Sequence, residues 1–88
     1  MSAGATQAVF LVDADEAARD ALQLMLSLSG LQVRAFASAE SFLEYYRPEH
    51  SGCLLLDIRL PGMSGLELQE TLLARHIRLP ILFVTAHG

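Results

Sequence analysis

Apolar residues fall along this chain in short blocks whose spacing switches between two periods. Residues 8–12 (Ala-Val-Phe-Leu-Val) are an unbroken apolar run that stops at Asp13. Such a run, bounded by polar residues, predicts a strand buried on both faces. Over residues 17–29 the pattern turns helical, with Ala18, Ala21, Leu22, Met25, Leu26 and Leu28 as an apolar stripe. Asp15 is placed to cap that helix, Glu16 and Asp20 suit the positive end of its dipole, and Gly30 ends it. Leu31, Val33 and Ala35 then alternate with Gln32, Arg34 and Phe36, which predicts an edge strand with one more polar face.

Ser38 opens a second helix over about 39–47, with Phe42, Leu43, Tyr45 and Tyr46 available to pack, and Pro48 stops it. Residues 49–52 read as a turn. The apolar stretch 53–56 is a third buried strand and ends in Asp57. A loop punctuated by Pro61, Gly62 and Gly65 follows. A third helix starts at Ser64 or Gly65, carries the stripe Leu66, Leu68, Leu72 and Leu73, and ends near His76. Leu79-Pro80 is a turn, residues 81–84 are a fourth apolar strand, and Thr85-Ala86-His87-Gly88 close the sequence. The order β-α-β-α-β-α-β implies an α/β domain: a doubly wound parallel sheet with helices on both faces and right-handed crossovers.

Composition narrows the class. The chain has 88 residues, 52% of them hydrophobic and 18% charged, which suits one small folded domain and not a disordered segment. No apolar run approaches the roughly 20 residues that span a bilayer, and residues 1–7 read as a flexible leader without the marks of a signal peptide. A net charge of -4 with no basic stripe argues against direct contact with nucleic acid. The single cysteine, Cys53, fits a buried small hydrophobe in a reducing, cytoplasmic setting. The six basic residues are all arginine, so the chain contains no lysine.

Three predicted strands end in a polar residue: Asp13, Asp57 and Thr85. In a parallel sheet of order 2-1-3-4 those three line one pocket where the winding reverses, the usual place for a ligand in such sheets. Two neighbouring carboxylates repel unless a cation lies between them, and oxygen ligands with open water positions suit Mg²⁺. Taken alone, Asp57 could equally be a residue that caps a turn.

The segments Phe10-Leu11-Val12-Asp13, Asp57 followed by Leu60-Pro61-Gly62-Met63-Ser64-Gly65, and Phe83-Val84-Thr85-Ala86 resemble the receiver domain of two-component response regulators. Ser38-Ala39-Glu40-Ser41-Phe42-Leu43 and the Thr85-Ala86-His87-Gly88 ending are similar to the branch with a helix-turn-helix transcription output. The resemblance covers residues 8–88. It implies a flavodoxin-like fold in which the fifth strand and the last two helices are missing from this sequence. It also implies that Asp57 takes a phosphoryl group from a histidine kinase and that the Thr85 hydroxyl turns inward to bond it. Mg²⁺ would be held by Asp13, Asp57 and the backbone carbonyl of Arg59. Ala14 stands where the family usually has a second acidic residue that binds the metal directly; Asp15, one residue late and facing the helix start, is the remaining candidate ligand to replace it, and weak Mg²⁺ binding is the expected consequence.

Two rival readings remain at this point. One is a receiver-like interaction module that works without phosphorylation, favoured by Ala14. The other is a haloacid-dehalogenase-like phosphatase using Asp13 and Asp15 of Val12-Asp13-Ala14-Asp15, which leaves the Asp57 loop unexplained. Expected partners are a histidine kinase and an output domain of the full-length protein, with neither a membrane nor nucleic acid contacted directly. The uncovered fourth strand would also favour a homodimer or domain-swapped oligomer.

Overall fold

The computed structural model describes residues 7–84. The elements run β1 (Gln7–Val12), α1 (Glu16–Leu28), β2 (Val33–Phe36), α2 (Ala39–Tyr45), β3 (Ser51–Asp57), α3 (Gly65–Ala74) and β4 (Ile81–Val84). The four strands form one parallel sheet, as the alternation of periods predicts, in the order β2-β1-β3-β4 that the family resemblance implies. Several boundaries differ from expectation. Gln7, assigned to the leader, opens β1, and residues 1–6 lie outside the described residues. Ser51 and Gly52, read as a turn, already pair with Gln7 and Ala8, so β3 is two residues longer at its start. α2 stops at Tyr45, since its C-cap Tyr46 has extended backbone (φ -69°, ψ 139°) ahead of Pro48.

Strand period two divides the core. Phe10, Val12, Leu54 and Leu56 point to one face and meet Ala39 and Phe42 from α2 and its C-cap Tyr46, Leu68 and Leu72 from α3, and Leu60 and Leu79 from the loops. Phe10 packs edge-on against Phe42 and Tyr46, with centroids 5.6 Å away in both cases. Each such pair adds about 0.5–1.5 kcal/mol beyond area burial. On the opposite face, Val9 and Leu11 are buried where α1 crosses β1 and β2. α1 itself has no fully buried residue. Its predicted stripe is only half covered: Met25 and Leu28 are 57% and 79% exposed. In α3, Leu68 and Leu72 are buried, whereas Leu66 and Leu73 are exposed. Cys53, expected to be buried, is half-buried.

The helix ends are set by local chemistry. Asp15 caps α1 by accepting from the Ala17 N–H at 3.1 Å. Ser64 and Glu67 form a reciprocal capping box at the start of α3, at 3.1 and 2.8 Å. Past α3, His76 N–H reaches Leu73 O and Ile77 N–H reaches Leu72 O, which puts His76 in the left-handed region at φ 59°. Glycine usually fills that position, as Gly30 does after α1 at φ 89°.

Candidate functional site

The register of the sheet builds the site. Val12 of β1 lies opposite Leu56 of β3, so the next residues along, Asp13 and Asp57, stand side by side at the C-terminal edge. β1 is also paired to β2, and Asp13 N–H donates to Phe36 O at 3.1 Å, which fixes the end of the strand. Both aspartates are deep in the rim: Asp13 is 2% exposed and Asp57 8%. Each folds over its own loop in the same manner. Asp13 Oδ1 accepts from Asp15 N–H and Asp57 Oδ1 accepts from Arg59 N–H, both at 2.9 Å. Arg19, one turn into α1, donates from Nη1 to the Asp13 carbonyl at 2.7 Å and pins the β1–α1 loop from behind.

The electrostatics of the pair are strained in one direction. Burial pushes the Asp13 carboxyl above its ordinary value. The Asp15 N–H works against that shift, while the Asp57 carboxylate, close enough to share a hydrogen bond with Asp13, raises it further. A dication between the two carboxylates would offset this repulsion. Mg²⁺ commonly uses one or two carboxylates and keeps several waters, so Asp13, Asp57 and a backbone carbonyl fit it. Among the described residues no group of three or more His, Cys, Asp or Glu side chains gathers to hold a metal.

The sequence candidates divide accordingly. Asp13 and Asp57 are brought together, and the Arg59 backbone is tied to Asp57. Asp15 is exposed and its carboxylate is committed to the α1 cap, so it does not join the pair. Ala14 is exposed. Thr85 lies outside the described residues. Two residues that sequence reasoning passed over reach the site loops: Arg19, and Glu40, whose Oε2 accepts from Met63 N–H at 3.1 Å. Neither has a sequence signal, because a side chain that bonds a distant backbone group follows no spacing rule.

Comparison with known proteins defines the class. Residues 9–88 match the family described as the response regulator receiver domain, and the chain belongs to that family. Nodulation protein W of Bradyrhizobium diazoefficiens is 44% identical over 80 residues, covering 91% of this chain and 35% of that protein. The transcriptional regulatory protein FixJ of Azorhizobium caulinodans is 41% identical over 80 residues, covering 91% of this chain and 38% of that protein. Among solved structures, the response regulator StyR superposes with a TM-score of 0.90 at 51% identity, over 96% of this chain and 42% of that one. The N-terminal part of FixJ superposes with a TM-score of 0.85 at 38% identity, over 93% of this chain and 66% of that one. The chain thus spans little more than a third of the curated relatives it matches. Receiver domains are signalling domains that generally bind Mg²⁺ at the phosphorylation site, and they partner with histidine kinases. No helix among the described residues is long and apolar enough to cross a membrane.

Proposed function

We propose that Asp57 is the phosphoacceptor of this receiver domain and that its modification switches an output, a transcriptional one as in the regulatory protein FixJ. The observation that supports this most directly is the juxtaposition of Asp13 and Asp57 at neighbouring strand ends, with Asp57 keeping a small window to solvent. An oxygen of the Asp57 carboxylate attacks the phosphorus of a kinase phosphohistidine. The new O–P bond forms as the P–N bond breaks, and its electron pair stays on the imidazole nitrogen, which takes a proton from water. Asp13, Asp57 and the Arg59 carbonyl are the groups to hold Mg²⁺, which when bound offsets charge on the transferred group. The Arg59 N–H holds Asp57 in one orientation for attack. Thr85 is the hydroxyl assigned to bond the phosphoryl oxygens. The acyl phosphate adds about one to two negative charges at a rim that already holds two carboxylates, enough to bias a two-state loop. The domain acts by taking up the group itself, with no turnover of a separate substrate.

The test is incubation with acetyl phosphate and Mg²⁺ followed by intact mass and peptide mapping. One phosphoryl adduct on Asp57, absent in Asp57→Asn, is the expected result; an adduct on Asp13 would indicate phosphatase-like use of that residue. A second reading, a module that docks partners without phosphorylation, is supported by exposed Ala14 and by the capping role of Asp15, which leave only two carboxylates in the site. It predicts no adduct at all.

A further inference from the structure

The loop that follows Asp57 is held from an unexpected side. Glu40 lies in the first turn of α2, and its Oε2 accepts the Met63 N–H at 3.1 Å, across 23 residues of sequence. The two segments are in close contact there. Gly62 has φ 71°, and a Cβ at that position would lie 2.9 Å from the same Glu40 oxygen. The positive φ favours glycine at 62, and a Cβ there would make the end of the flexible Glu40 side chain shift. The rest of the loop is pinned at three further points. Arg59 N–H is held by Asp57, Leu60 is buried in the core, and Ser64 is locked into the capping box with Glu67. Between Leu60 and Ser64, Glu40 is the side chain among the described residues that holds the backbone, at Met63 N–H.

We infer that Glu40 is a positioning residue for the phosphoacceptor loop: its carboxylate on Met63 N–H sets where the Arg59–Gly62 backbone lies relative to Asp57, and so couples α2 to the site. The inference rests on the proposed role of Asp57, and it adds a route by which that role depends on a helix outside the acidic pair. Conversely, a shift of the loop on phosphorylation loosens or tightens the hold on α2. A negatively charged acceptor makes a stronger bond to N–H than a neutral one, and no other part of Glu40 is needed for it.

Three variants of the whole protein test this: Glu40→Ala, Glu40→Gln and Glu40→Asp. Amide hydrogen exchange without metal reads the clamp directly. In Glu40→Ala the Met63 amide exchanges about tenfold faster, while the Leu56 and Val12 amides in the sheet are unchanged. Glu40→Gln, which still carries an accepting oxygen but no charge, recovers part of the protection, and Glu40→Asp, one methylene short, does not. The second readout is the Mg²⁺ dependence of Asp57 phosphorylation by acetyl phosphate. Glu40→Ala raises the half-saturating Mg²⁺ several-fold, with a smaller change in the rate at saturating Mg²⁺. Unchanged Met63 exchange overturns the inference. So does faster exchange with an unaltered Mg²⁺ profile, because the bond is then structural only. If the parent protein takes no phosphoryl group at Asp57, the proposed function fails on its own account, and the Met63 measurement still decides whether the clamp exists.

Discussion

Replacing Gly65 with alanine sets two effects of opposite sign against each other at the site. Gly65 is the first residue of α3 and lies against the end of β3. A Cβ there would lie 3.0 Å from the Asp57 carbonyl oxygen, 3.2 Å from Ile58 Cα and 3.4 Å from Leu56 Cγ. Two of those three neighbours are backbone, so they yield only if the strand end and the helix start move apart by a few tenths of an ångström. Overpacking of this kind costs about 1–3 kcal/mol. Against it, alanine is better than glycine in a helix interior by about 0.5–1 kcal/mol, and by less in the first turn. The steric cost wins, leaving a net loss of about 1 kcal/mol, equivalent to a fall in Tm of about 4–8 °C for a domain of this size. Thermal unfolding followed by circular dichroism measures it. Because the displaced atoms belong to Asp57 and its neighbour, acetyl phosphate labelling of Gly65→Ala is also expected to slow by more than the loss of folded population explains. A Tm equal to or above that of the parent chain would refute the reasoning, since helix propensity would then have outweighed the contact.

Other predictions follow from single observations. His76→Gly removes the strain of a side chain in the left-handed position after α3 and should stabilise by about 0.5 kcal/mol, read as a rise of a few degrees in Tm; a fall would show that the His76 side chain holds something the backbone does not. The raised pKa of Asp13 means that the folded chain holds this proton more tightly than the unfolded one, so its favourable contribution is complete below the unfolded value, near 3.8, and is lost as pH rises through the folded value. Asp13→Asn should therefore gain stability relative to the parent chain as pH is raised from 3.5 to 7 in metal-free buffer, and a constant difference across that range would contradict the cause assigned. β4 lies at the edge of the sheet among the described strands, with Leu82 61% and Phe83 38% exposed. The 88-residue chain is expected to self-associate as its concentration rises, by size exclusion with light scattering, and Leu82→Lys to reduce this; a monomer at every concentration would end the idea.

The sheet was legible because its strands are apolar runs stopped by polar residues: Val12-Asp13 and Leu56-Asp57 mark both the strand ends and the site. The Asp15 cap and the helix start at Ser38 were legible for the same local reason, a side-chain oxygen one residue before a helical pattern, while the start of α3 stayed open between Ser64, which caps it, and Gly65. The helix faces were read less well, and helix geometry says why. At about 100° per residue, Leu66 sits about 200° around α3 from Leu68, so the two cannot share a face. In α1, Ala18, Leu22 and Leu26 fall within about 40° of one line and are half-buried, whereas Met25, Ala21 and Leu28 lie to one side of it and are exposed. A list of apolar residues does not reveal how wide a stripe the neighbouring sheet covers. The carboxylate pair was legible from topology once the strand order was granted. The hold of Arg19 and Glu40 on the loops is purely tertiary.

The position of β1 has a consequence for assembly. It is made before the other three described strands and ends up between two of them, paired with β2 on one side and β3 on the other, so that Gln7 must wait for Ser51. Parallel pairing allows no short hairpin to nucleate this, and the chain must close a long loop before its central ladder exists. An emerging polypeptide cut before Ser51 would hold Phe10 and Val12 without Leu54 and Leu56 beside them, a sticky intermediate of the kind that chaperones meet. The two aspartates therefore meet only when β3 joins β1, and their juxtaposition reports that the central ladder has closed.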